Sequence, residues 1–225
     1  MNNHQSSHNK NAFIVGCGSK FGKTLVTELE TRGFTVYGIS GSISTDRVLQ
    51  IDWNKCGISD FEKFLRKLPE LELVIFNQNS PALTEQYWEA NSMAIFDVWK
   101  QSKQWQQSFY VNCILPSHII HTLVDTNKIN NQSCIIWMLS RAMLDNYHTN
   151  LDYFGQKYQN YKIMQQFTKH NPQTFVGVCP GSLNSTVYQA RATQLVDLLL
   201  KPNIQTGDFF VFDETRNKFN DFKNI

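Results

Sequence analysis

No apolar run in the sequence approaches the roughly 20 residues that a membrane-spanning helix needs. The first ten residues, MNNHQSSHNK, also lack the apolar core of a secretory leader. The chain therefore reads as soluble and cytoplasmic, with residues 1–10 as a frayed tail. The five cysteines, at 17, 56, 113, 134 and 179, form no CxxC pair and sit mostly in apolar stretches. They read as reduced, buried thiols, and neither a disulfide framework nor a metal site is expected. Lys and Arg number 21 and Asp and Glu 19, a formal charge of +2 without a basic block. Neither a nucleic-acid footprint nor a membrane-surface patch is therefore expected. Repeats, low-complexity tracts and linkers are absent as well, so 225 residues read as one large domain over 11–225.

What is present is an alternation of short apolar runs with longer amphipathic ones. AFIV (12–15), TVYGI (35–39), VLQID (48–52), LELVIFN (71–77), CIIWML (134–139), TFVGV (174–178) and DFFVF (208–212) read as about seven strands. FGKTLVTELETRG puts Phe21, Leu25, Val26 and Leu29 on one helical face and closes at Gly33. Further helices are expected at 60–68, with Asp60 as N-cap, and at about 109–124, 151–169 and 190–201. Strands apolar on both faces that alternate with helices predict an α/β fold, a Rossmann-like doubly wound parallel sheet with helices on both faces.

Between the first strand and first helix lies Val15-Gly16-Cys17-Gly18-Ser19-Lys20-Phe21-Gly22. Glycines at this place let the backbone turn tightly and bring a pyrophosphate to the amides at the positive end of the helix. Gly16, Gly18, Lys20, Phe21 and Gly22 are thus cofactor-binding candidates; the alternative is a plain tight turn. An NAD site usually offers an acidic residue at the end of the second strand. Here Ser40-Gly41-Ser42 stands instead, with Lys20, Arg47 and Asp46 as the nearest charges. That leans towards a 2′-phosphate and NADP(H) over NAD(H), with Ser40 in the site. Asp52 and Trp53, at the end of the third strand, are placed to meet an adenine or to cap the next turn.

Several landmarks, in order and at consistent spacing, resemble the short-chain dehydrogenase/reductase family from about Ala12 to Phe212. The glycine turn is similar to its TGxxxGxG, with Gly16 and Gly22 matching and Lys20 in place of the middle glycine. Asn77-Gln78-Asn79-Ser80 resembles the family's NNAG in its first residue. Trp105 and Asn112 resemble its WxxxxxxN, and Ser140 closes a strand as the family's catalytic serine does. Tyr153-Phe154-Gly155-Gln156-Lys157 resembles its YxxxK, and Pro180-Gly181 its PG motif. Tyr158 and Lys162 make a second, overlapping YxxxK; the distances from Ser140 and from Pro180 favour Tyr153. The resemblance implies a nicotinamide-dependent oxidoreductase acting on a small carbonyl or alcohol. Tyr153 would be the acid/base and Lys157 would lower its pKa. Ser140 would hold the substrate oxygen and Asn112 would sit in the proton relay. Asn77, Tyr153, Lys157, Pro180 and Gly181 would join the cofactor site. It also implies a homodimer or homotetramer formed through helices 109–124 and 151–169.

The chemistry fits the residue types. A free tyrosine has a pKa near 10, so an ammonium one helical turn away is needed to favour its anion. Taken singly, Ser140 reads equally as a turn former and Asn112 as a satisfied helix amide. Helix 190–201 follows Pro180-Gly181 closely, which predicts a shortened substrate lid and an open site edged by Val187, Tyr188 and Tyr147 or His148. A bulky, a partner-presented and a small planar substrate all remain open. The rival reading is a non-catalytic dinucleotide-binding sensor or scaffold.

Overall fold

The computed structural model of the chain describes residues 10–51, 58–78, 103–144 and 151–222. Its elements are β1 (Lys10–Val15), α1 (Lys20–Thr31), β2 (Phe34–Ser40), β3 (Val48–Gln50), α2 (Ile58–Lys67) and β4 (Leu73–Phe76). After these come α3 (Lys103–Phe109), a π-helical turn (Tyr110–Ile114), α4 (Leu115–Asp125), β5 (Cys134–Met138) and a 3-10 turn (Arg141–Met143). The chain continues through α5 (Leu151–His170), β6 (Thr174–Cys179), α6 (Tyr188–Leu199), β7 (Phe209–Asp213) and β8 (Lys218–Asp221). The sheet order is β3-β2-β1-β4-β5-β6-β7-β8. Every pairing up to β6 with β7 is parallel, and β8 returns antiparallel on β7.

Strand side chains alternate between two apolar layers, as a doubly covered sheet demands. Phe13 and Val15 of β1 enter the layer closed by Phe61 and Leu65 of α2, Ile119 and Leu123 of α4, and Met164 and Phe167 of α5. Ala12 and Ile14 enter the other, closed by Phe21, Leu25 and Leu29 of α1 and by Ala192, Leu195 and Val196 of α6. Each such fully buried aliphatic or phenyl side chain contributes about 1.5–3 kcal/mol relative to exposure. This continuous burial is what makes a parallel sheet stable in short strands.

The doubly wound α/β sheet is as expected, with differences at the edges of elements. The third strand ends at Gln50, and Asp52 and Trp53 lie outside the described residues. The fourth is Leu73–Phe76, with single ladder bonds beyond it from Glu72 N–H to Asn11 O and from Asn77 N–H to Val15 O. Helix α2 begins at Ile58, so Asp60 sits in its first turn rather than at the N-cap, where its charge still complements the helix dipole. The central helix starts at Lys103, six residues before the expected position. The eighth strand was not anticipated: KFND offers one apolar residue, Phe219, whose ring meets Phe212 edge-on at 5.2 Å.

Candidate active site

In this strand order the chain reverses direction between β1 and β4, and the carboxyl ends of these strands flank the crevice where doubly wound sheets bind ligands. The glycine turn occupies that crevice. Gly16 has φ +86°, and a side chain there would press on the Gln78 backbone at 3.0 Å, so the turn passes directly against the end of β4. A Cβ on Gly18 would overlap the Ser40 hydroxyl, and one on Gly22 the Gly16 carbonyl. Ser19 caps α1, its Oγ accepting from Gly22 N–H at 3.0 Å. Asn77 fastens the turn to β4, its Nδ2 donating to Gly16 O at 3.3 Å and to Ser19 Oγ at 3.1 Å.

Gly16 and Cys17 spend their amides on Ile39 O, and Ser19 and Lys23 donate back into the turn. Among the described residues, no acceptor pairs with the amides of Gly18, Lys20 or Phe21. Unpaired amides at a helix N-terminus, with the exposed Lys20 beside them, fit the charge and shape of a pyrophosphate. The Cys17 thiol, pushed up to about 11 by burial, stays neutral there and does not repel an anion. Phe21 is buried and its ring lies 6.0 Å from that of Tyr188, so these two rings tie α1 to the start of α6.

Ser40 is buried, and its hydroxyl oxygen accepts from the amides of Ser42 and Ile43 at 3.0 and 3.1 Å. It shapes the turn that leaves β2. Arg47, half-exposed on the same segment, pairs with Glu30 of α1 at 3.6 Å.

Across the switch point, Lys157 is 4 % exposed and its Nζ donates to Met138 O, at the end of β5, at 3.1 Å. Desolvation pushes its pKa down to about 8, opposed by the nearby thiols of Cys113 and Cys179. Ser140 follows that strand, and its carbonyl accepts from Met143 N–H at 3.1 Å, opening the 3-10 turn. The Tyr153 backbone stands one turn before Lys157 in α5, while its side chain lies outside the described residues. Tyr158, of the overlapping motif, is 43 % exposed, stacks on Phe154 at 6.1 Å and carries Lys162 Nζ 5.1 Å over its ring.

Asn112, 1 % exposed, lies inside the π-helical turn, where Leu115 N–H bonds back five residues to Tyr110 O. Pro116 has no N–H to give the carbonyl four residues earlier, that of Asn112, and this loosens the α-helical ladder at that place. The Asn112 amide donates to Gln156 Oε1 at 2.5 Å and to Ser108 Oγ at 3.3 Å, and Ser108 Oγ donates to the same Gln156 oxygen at 3.0 Å. Sequence reasoning missed Ser108 and Gln156. A proline four residues after Asn112 was the one available signal, and it points to the loosened helix rather than to the two side chains.

Gly181, after β6, has φ +74°. Only residues 182–187 separate it from α6, and Val187 stands at the helix start. Tyr147 and His148 lie outside the described residues, as does Cys56.

This architecture is that of the short-chain dehydrogenase/reductase structures. A carbonyl reductase from Pseudomonas aeruginosa in complex with NADP superposes with a TM-score of 0.71 at 15 % identity, over 95 % of this chain and 100 % of its own. A short chain dehydrogenase family protein from Francisella tularensis subsp. tularensis gives 0.70 at 15 % identity, over 91 % and 97 %. No protein-family model and no curated protein sequence matches the chain. At such identities the likeness establishes the fold, and the chemistry rests on the residues themselves.

Proposed function

We propose that the chain is an oxidoreductase that transfers a hydride between a nicotinamide cofactor and a carbonyl or alcohol substrate, with NADP(H) preferred. The observation that carries this is Lys157. A lysine 4 % exposed, seated on the terminal carbonyl of β5 two residues before Ser140 and one turn after Tyr153, is an expensive arrangement for a merely structural residue. Burial lowers its pKa only to about 8, so it is still mostly an ammonium at neutral pH. The cradle fits a dinucleotide at the other side of the switch point. NADP preference is supported by the absence of an acidic side chain at the end of β2 and by Lys20 and Arg47 nearby.

The bound cofactor supplies or accepts the hydride. In the reducing direction Ser140 donates a hydrogen bond to the carbonyl oxygen, and the Tyr153 hydroxyl gives its proton to that oxygen as the C–H bond forms. The resulting phenolate is stabilised by the Lys157 ammonium, and the proton is restored from solvent through the Asn112 side of the site. In the oxidising direction the same groups take the proton from the alcohol.

The test is a thermal-shift series with NADPH, NADH and no ligand, followed by turnover of Tyr153→Phe. The expected result is a larger shift with NADPH, retained by the variant, with turnover lost. A shift with neither nucleotide would remove the reading. Binding without turnover by the unaltered protein on a broad carbonyl panel would favour a non-catalytic sensor.

A further inference from the structure

We propose that Arg191 and Glu214 are a positioning pair that holds the Pro180-Gly181-Ser182 turn at the nicotinamide end of the cleft, which makes the β7–β8 hairpin a working part of the cofactor site. The proposal rests on the dinucleotide reading above. A dinucleotide anchored at the β1–α1 turn spans the switch point, and the half that passes it meets the ends of β4, β5 and β6. The turn after β6 is therefore on the reacting side, one strand from Ser140 and from the Lys157 seat.

The turn is gripped on both sides of Gly181. From α6, Arg191 Nη1 donates to the Pro180 carbonyl. From the turn between β7 and β8, Glu214 Oε1 accepts from Ser182 N–H at 3.0 Å, and its Oε2 accepts from Arg191 Nη2 at 3.3 Å. Both peptide groups next to Gly181 are fixed, and with them a φ of +74° that a glycine could otherwise leave freely. A Cβ at 181 would overlap the Glu214 carboxylate, so the glycine and the pair require each other.

The cost of this device points the same way. The Arg191 side chain is 3 % exposed and its guanidinium lies over the Phe212 ring. Burying a guanidinium is unfavourable unless its donors are satisfied. A leucine or methionine would fill the space between α6 and β7 without that cost, but neither could hold a carbonyl. The Glu214 side chain is 46 % exposed on a hairpin whose turn is braced by Asp213 Oδ1 accepting from Thr215 and Arg216 amides at 2.9 and 3.1 Å. The carboxylate is thus presented by a stiff support.

The test compares two ligands, NADP+ and 2′-phospho-ADP-ribose, which lacks nicotinamide. Glu214→Ala, chosen because the side chain is half-exposed, is titrated with both, and its fold is checked by circular dichroism. The expected result is a tenfold or greater weakening for NADP+, with 2′-phospho-ADP-ribose within twofold. Glu214→Gln, which keeps an acceptor for Ser182 N–H but loses the one for Arg191 Nη2, should recover part of the loss. Equal changes for the two ligands, or no change for either, overturn the proposal while leaving the dinucleotide reading intact. Binding of neither ligand by the unaltered protein overturns both.

Discussion

At the scale of a single residue, Lys157 gives the sharpest expectation. Burial favours its neutral form, so the folded pKa, about 8, lies below the ordinary lysine value of 10.5. Between these two values the unfolded chain binds more protons than the folded one, so this residue's contribution to stability rises with pH across that window. Below pH 8 both states are protonated and the full cost of burying the ammonium is present. The slope is at most about 1.4 kcal/mol per pH unit. Urea unfolding at pH 7, 8 and 9 should show the unaltered protein gaining stability relative to Lys157→Met as the pH rises. That difference is free of the Cys17 and Cys134 thiols, whose raised pKa values act in the opposite sense in both proteins. An equal change in both would mean that Lys157 is not held charged against a desolvation cost.

At the scale of elements, the joint between the π-helical turn and α5 is held by one amide oxygen. Gln156 Oε1 accepts from Ser108 and Asn112, which sit one turn apart on the central helix. All three side chains are nearly inaccessible to water. Gln156→Leu leaves both donors without that acceptor, and each buried donor so stranded costs about 1–3 kcal/mol. The variant is expected to lose about 2–3 kcal/mol in urea unfolding. Gln156→Glu keeps both accepted bonds and adds a carboxylate next to Lys157, so it should lose less stability and carry a higher lysine pKa. The joint matters for function because it fixes Asn112 and Lys157 relative to each other, and both are placed on the proton route proposed above.

At the scale of the whole molecule, the sheet is a wall between two apolar layers with the site along its upper edge. Trp137 is the largest fully buried side chain in it, 5.0 Å from the Phe76 ring and within 6.5 Å of Phe167 and Phe175. Its Nε1 is buried without a partner among the described residues. Trp137→Ala should cost about 3–5 kcal/mol through the cavity it leaves. Trp137→Phe should cost less than about 1.5 kcal/mol, because removing the stranded N–H offsets part of the lost packing. Thermal or denaturant unfolding of the pair distinguishes these outcomes, and a phenylalanine variant as unstable as the alanine one would show that the indole N–H is satisfied after all.

The order of elements, the covering of both sheet faces and the place of the glycine turn were legible in the sequence. They depend on local periodicity and on residues whose backbone freedom is a property of their own chemistry. The spacing of Ser140, Tyr153, Lys157 and Pro180 is also read from the sequence, by its resemblance to a family pattern, and the roles attached to it belong to the proposed function. Element ends were less so, since β3 and β4 stop where ladder partners stop and β8 exists because β7 offers it an edge. Only the tertiary structure decided that Lys157 faces the end of β5 while Lys162 lies over an exposed ring. It alone joined Gln156 to a helix 44 residues earlier, and Arg191 to a carboxylate 23 residues later. Those pairings are set by the packing of distant segments, and a lysine, a glutamine or an arginine reads the same in sequence whether its partner is water or a buried carbonyl.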